Sequence, residues 1–155
     1  MHHPLLCSNL VDVKNRPLPF VREIAIPSSA ANVHFTGLLV RQYAPHSPWE
    51  NLFGWRFLEP FAVTAEAAAR VPDGEPFVVL SHLGLSLDRK LARAVPRITL
   101  LLGGHSHDTL EQPEVVNGVP IVHAGPYGAF VSRSDLQVEN GRWGLHDFSL
   151  LPLRP

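Results

Sequence analysis

Apolar positions recur along this chain with two different periods. Around Ser28-Ser29-Ala30-Ala31 the spacing is two: Val21 on one side, Val33 and Phe35 on the other. That alternation predicts a hairpin of strands over Phe20–Pro27 and Asn32–Val40. Phe77–Ser81 and Ile98–Leu102 are instead continuous β-branched and leucine-rich runs stopped by Ser or Gly, the mark of strands buried on both faces. Between them Leu87, Leu91 and Val95 fall on one helical stripe, which predicts a helix over Leu87–Val95, capped by Ser86 and ended before Pro96. The alanine-rich stretch Val63–Val71 predicts another helix, with Thr64 as N-cap. Pro4–Leu10 reads as a first strand. The turn signals Asn117-Gly118 and Asn140-Gly141 each punctuate a hairpin: Glu114–Val116 with Ile121–Ala124, and Val131–Glu139 with Trp143–Leu151. Strands alternating with helices predict an α/β domain. The segment Arg41–Glu59 reads as a loop holding Trp49, Phe53, Trp55 and Phe57; a loop so aromatic could stack a base, but packing on the protein's own core is the expected use.

Composition narrows this picture without changing it. At 155 residues one domain is expected, and folding buries about two-thirds of the chain's surface. A net charge of −1 gives no electrostatic case for nucleic acid or an anionic membrane surface. The single cysteine, Cys7, excludes an internal disulfide framework and a cysteine-based zinc module. No apolar run approaches the ~20 residues that span a bilayer. No secretory signal opens the chain, so the expectation is a cytoplasmic protein as it stands, or a periplasmic or secreted one if a leader preceded this start.

The candidate chemistry follows the buried runs. Ser81-His82 ends the first and Gly103-Gly104-His105-Ser106-His107 ends the second. Loops at strand ends are where α/β proteins place ligand chemistry. His105 and His107 are two apart, so an extended backbone would project both imidazoles to one side, with His82 on the neighbouring strand. Three such imidazoles, expected to converge within about 5 Å of one another, suit Zn, Mn or Fe. The bland alternative is that each is a surface or hydrogen-bonded histidine, and any one taken alone reads so. The Gly-Gly step favours the metal, because it lets the backbone turn sharply where an ion must approach.

The stretch Val79-Leu80-Ser81-His82-Leu83-Gly84, then Asp88, Leu91-Ala92 and Val95-Pro96, then Leu101–His107, resembles the calcineurin-like metallophosphoesterase superfamily and its 5′-nucleotidase branch. The likeness continues through Val116–Gly128 and Arg133-Ser134-Asp135-Leu136, and Pro4–Leu10 is similar to the strand after that family's third motif. The family signature runs Asp-x-His, Gly-Asp-x-x-Asp, Gly-Asn-His-Asp/Glu, a lone His, then Gly-His-x-His. The last two are here as His82 and as His105 with His107; the first three are not. Residues 1–155 therefore resemble the C-terminal portion of a catalytic domain whose fold is a four-layer αββα sandwich with mixed sheets.

That resemblance implies a metal-dependent phosphoester hydrolase of nucleotide-like monoesters or cyclic diesters, a metal-bound hydroxide attacking phosphorus. His82 and His105 would hold one ion and His107 a second. The bridging carboxylate, an Asn ligand and the His that protonates the leaving group belong to the missing motifs, so no catalytic residue is assigned. Two dications about 3.5–4 Å apart need anionic ligands between them, which imidazoles do not supply. Asp108, next to His107, and Asp88, on the following helix, are not expected to replace the bridge. The chain by itself is thus expected to be inactive, to hold at most one ion weakly, and to require an N-terminal half as partner. The alternative is a non-catalytic remnant or partner subunit that keeps the fold.

Overall fold

The computed structural model describes residues 3–153 and forms the α/β arrangement that the periodicities predict. In chain order its elements are β1 (Leu10–Asp12), β2 (Glu23–Pro27), β3 (Asn32–Leu39), α1 (Pro48–Phe53), β4 (Trp55–Phe57), α2 (Pro60–Arg70), β5 (Phe77–His82), α3 (Leu85–Ala94), β6 (Leu100–Gly103), β7 (Glu114–Val116), β8 (Val119–His123), β9 (Phe130–Glu139) and β10 (Arg142–Pro152).

Six strands make one mixed sheet in the order β2-β3-β5-β6-β8-β7. The inner four, β3, β5, β6 and β8, run parallel, while β2 and β7 are antiparallel edges. Parallel strands need crossovers, and α2 and α3 supply two of them. Their apolar stripes cover one face: Ala67, Ala68, Leu91, Ala92 and Val95 pack on Leu38, Phe77, Val79, Leu101, Val119 and Ile121. The other face, through Val78, Leu100 and Val122, meets Leu136, Leu145 and Phe148 of the β9–β10 hairpin. Helix, mixed sheet and second sheet give three successive layers of the expected αββα order.

Several boundaries differ from expectation, for physical reasons. The first strand is not Pro4–Leu10. Leu6 makes a single bridge to Val21, and the chain then inserts side chains where a strand would pair. The Asn9 amide donates to the Leu39 carbonyl at 2.8 Å and accepts from the Leu39 N–H at 2.9 Å. It mimics a paired backbone and frees Leu10–Asp12 to join β4. The segment expected to be loop holds α1 and β4, because β4 finds its partner in β1, more than forty residues away in sequence. Helix α2 starts three residues early. Pro60 opens it, the Glu59 carboxylate accepts from the Ala62 N–H at 2.7 Å, and Thr64 is an interior residue whose hydroxyl donates to the Pro60 carbonyl. Helix α3 likewise starts at Leu85. Ser86 is not its cap; the Leu85 N–H is satisfied by the Ser106 hydroxyl at 3.0 Å, from the histidine-bearing turn.

Candidate metal centre

The parallel register sets the site. Ser81 of β5 stands opposite Gly103 of β6, and Gly103 stands opposite His123 of β8. His82 ends β5, and His105 lies two residues beyond β6, so neighbouring parallel strands deliver both histidines to the same edge of the sheet. Their rings meet edge-to-face, with centroids 5.0 Å apart. A Cβ at Gly104 would lie 3.4 Å from Nδ1 of His82, so the backbone of the second loop passes close over the first imidazole. Both histidines are exposed.

His107 goes elsewhere. Its ring packs edge-on against Tyr127, with centroids 5.2 Å apart. The extended-strand geometry expected for Gly-His-x-His does not form. β6 stops at Gly103, and His105 and His107 adopt left-handed backbone conformations with φ of 77° and 61°. Side-chain alternation holds only in a strand, so a two-residue spacing no longer sets direction here. Among the described residues no group of three or more His, Cys, Asp or Glu side chains is arranged to hold a metal ion, so the expected convergence of three rings is replaced by a pair and a separate third. The donor chemistry of that pair fits the imidazole side of a transition-metal centre. It lacks the carboxylate that would offset a second dication.

The nearby acids are engaged in other bonds. Asp108 accepts from the Ser106 hydroxyl at 2.5 Å. Asp88 is fully buried on the inward side of α3. One of its oxygens accepts from the Ser81 hydroxyl at 2.5 Å and the other bonds Nε2 of His123 at 2.8 Å. Ser81 in turn accepts from the Leu83 N–H at 3.2 Å. The sequence placed Asp88 on a helix and His123 within the Ile121–Ala124 strand but did not join them. One signal was available: Asp88 interrupts the apolar stripe Leu85, Leu91, Ala92, Val95, and a carboxylate in that position needs a buried partner. The join also explains a glycine. A Cβ at Gly103 would lie 2.0 Å from Nε2 of His123 and 2.4 Å from the Asp88 carboxylate. The first glycine of the pair serves the buried His–Asp contact, and Gly104 leaves room for His82.

Neither of two further concave surfaces has the histidine pair in its lining. A cavity of about 970 Å³ opens at the opposite strand ends, between Glu75, Arg97 and the β9–β10 turn. A second of about 530 Å³ is lined by Tyr43, Trp49, Phe53, Trp55 and Phe57 with Leu10 and Leu39. There Trp49–Phe53 and Phe53–Trp55 stack at 6.0 and 5.9 Å. No described helix is long and apolar enough to cross a membrane.

No protein-family model matches the chain. Similarity to individual proteins is extensive. The uncharacterized metallophosphoesterase YunD of Bacillus subtilis (strain 168) is 32% identical over 142 residues, which is 88% of this chain and 29% of that protein. Among solved structures, the sulfate thiohydrolase SoxB of Thermus thermophilus superposes with a TM-score of 0.81 at 26% identity, covering 97% of this chain and 28% of its own. A 5′-nucleotidase precursor, also from Thermus thermophilus, shares the fold with a TM-score of 0.79 at 24% identity, covering 96% and 33%. This chain thus spans about a third or less of the length of these proteins. Its relatives by sequence and its neighbours by fold are thus metallophosphoesterases and 5′-nucleotidases, and the chain is similar to the C-terminal-like part of their domain.

Proposed function

We propose that this chain is part of a metal-dependent phosphoester hydrolase, to which it contributes His82 and His105 as ligands of one divalent ion and His107 as a ligand of a second. The observation that carries this reading is the meeting of His82 and His105 at the ends of adjacent parallel strands. Nucleotides, other phosphate monoesters and cyclic diesters are the proposed substrate class; the metallophosphoesterase and 5′-nucleotidase among the relatives support phosphoester chemistry in general. A divalent ion held there would polarise a phosphoryl oxygen as a Lewis acid. The chain's own part is to present two imidazoles from fixed strand ends, with the Gly104 backbone bounding one of them. Residues 1–155 act as the C-terminal portion of a catalytic domain, and the anionic ligands and general acid come from outside this chain. The chain alone therefore binds Zn²⁺ or Mn²⁺ with one-site stoichiometry and does not hydrolyse phosphate esters.

Calorimetric titration of the full chain with Zn²⁺ tests the ligand assignment. His82→Ala and His105→Ala should each abolish the one-site isotherm, while His107→Ala should leave most of it. Binding that survives both of the first two substitutions would sink the assignment. In a chromogenic phosphate-ester assay the chain alone should not exceed the buffer blank, because the parts of such a site act as a unit. Turnover by the short chain that ignores His105→Ala would overturn the proposal. Failure of any added N-terminal half to restore turnover, with metal still bound, would favour a non-catalytic subunit instead.

A further inference from the structure

A buried polar chain of Ser81, Asp88 and His123 lies beneath the histidine loops. Replacing such a network by apolar side chains is often neutral or stabilising, so a buried ion pair by itself is weak evidence of stabilisation. Its position is informative. Asp88, on α3, reaches β5 through Ser81 and β8 through His123. Ser81 immediately precedes His82, and its hydroxyl also takes the Leu83 N–H, so the residues on both sides of His82 are tied to one oxygen. His123 stands beside Gly103, which has no room for a side chain over the His123–Asp88 contact and begins the turn to His105. Nδ1 of His123 is buried with no hydrogen-bond partner among the described residues. Among the described residues the ring is therefore oriented by one hydrogen bond, the one to Asp88.

We propose that Asp88, acting through Ser81 and His123, is a positioning residue that sets the spacing of the His82 and His105 rings. The inference rests on the metal-ligand reading for its consequence, but the spacing itself is a property of the metal-free protein. Both imidazoles are solvent-exposed; His82 is also held through β3, its carbonyl accepting from the Val40 N–H at 3.0 Å, while His105 lies in a left-handed turn. Fixing the backbone at Ser81 and at Gly103 fixes where the two rings start. A further tie comes from the same turn, where the Ser106 hydroxyl caps α3 at Leu85, so the helix that carries Asp88 is also anchored by the loop it positions. Groups that orient metal ligands without touching the metal commonly change affinity by about 10–100-fold when removed.

The experiment uses the full chain without metal and then with Zn²⁺. In wild type, ring protons of His82 and His105 should show a mutual nuclear Overhauser effect, as the edge-to-face contact requires. Ser81→Ala should keep a cooperative thermal transition, lose or weaken that effect, and weaken Zn²⁺ binding by about tenfold or more. Asp88→Ala should do the same more severely, and Asp88→Asn, which keeps one acceptor and one donor in place, should restore much of both readouts. If Asp88→Ala does not fold, Ser81→Ala decides. Wild-type ring contact and wild-type Zn²⁺ affinity in Ser81→Ala would overturn the positioning role. A wild-type chain that shows the ring contact but takes up no Zn²⁺ would refute the ligand reading, leaving the ring contact alone to judge Asp88.

Discussion

The turn from Gly104 to His107 and the segment from Arg41 to Glu59 both follow parallel strands of the same sheet, yet they are held by different means. The first is tied by the bond from the buried Leu85 N–H to the Ser106 hydroxyl, and it follows Gly103, which lies against the hydrogen-bonded chain of Ser81, Asp88 and His123. The second pairs its β4 with β1 and otherwise rests on stacked aromatic rings with much of their surface in water, Trp49 being 52% exposed and Phe53 47%. Hydrogen bonds in a low-dielectric interior fix angle as well as distance and are costly to leave unmade. Aromatic stacking is broad in geometry and gains little once one face is wet. A turn that must hold two imidazoles within 5.0 Å of each other suits the first construction.

The contrast can be broken most directly from below. Leu101 is fully buried in β6, between the helices and the hairpin-covered face. Leu101→Ala should cost about 2–5 kcal/mol, the range for emptying a buried leucine site. Urea denaturation should show it as a lower midpoint with an unchanged slope. A cost under about 1 kcal/mol would mean that the sheet supporting the turn collapses around the cavity. Gly103→Ala should come next. Its added methyl meets both His123 and Asp88, fully buried groups with no flexible end to yield. Overpacking of this kind costs about 1–3 kcal/mol. Because it strikes the polar chain and not the apolar core, it should also weaken Zn²⁺ uptake at His82 and His105. Gly104→Ala, whose Cβ meets only His82 Nδ1 at 3.4 Å, should disturb uptake with a smaller loss of stability.

On the aromatic side the effects should be smaller. Trp49→Ala removes one ring from the stack on Phe53, and such a pair contributes about 0.5–1.5 kcal/mol beyond area burial. The loss should lie at the low end, since Trp49 is half exposed, and it should leave metal uptake unchanged. A loss as large as that of Leu101→Ala would show that the aromatic segment is core, and its contrast with the histidine turn would fail.

What the sequence disclosed follows the same division. β5, α3 and β6 were legible because long apolar runs and a clean stripe depend on local period, which neighbouring residues write. The meeting of His82 with His105 was legible for the same reason, since adjacent buried strands ending in histidine deliver them to one edge. The direction of His107 was not. It depends on a left-handed turn that starts as soon as β6 ends, and nothing in a Gly-His-x-His spacing distinguishes that from two more strand residues. α1 and β4 were read as loop because the partner of β4 is β1, across a long stretch of chain. The caps of α2 and α3 were misplaced because Glu59 is an uncommon cap and Ser106 acts from a different loop. Ser81, Asp88 and His123 are scattered in sequence and meet only after the parallel register is set.

The least of the expected effects concerns the outer edge of the same sheet, where Arg89 of α3 grips Glu114 of β7 with two bonds of 2.7 and 2.8 Å. The guanidinium beside Glu114 holds its carboxyl below the ordinary value of 4.5, the hydrogen bond from Arg89 being the main cause. A folded-state value below the unfolded one means that the unfolded chain takes up the proton first, so stability from this pair is complete above pH 4.5 and lost as pH falls through the lower folded value. Asp12 and Glu75 are depressed in the same sense by Arg16 and by His34 with Asn32, so acid weakens the wild type through several groups at once. Glu114→Gln isolates one of them. The side chains are a third and more exposed, and solvent screening makes such pairs weak, so the difference should be below that of Trp49→Ala. Urea midpoints measured for both proteins from neutral pH downward should run parallel until about pH 4.5 and then converge, because the wild type alone loses the pair. Curves that stay parallel to the lowest folded pH would show that Arg89 does not depress Glu114, and that the helix bearing Asp88 is held to the sheet by its buried contacts alone.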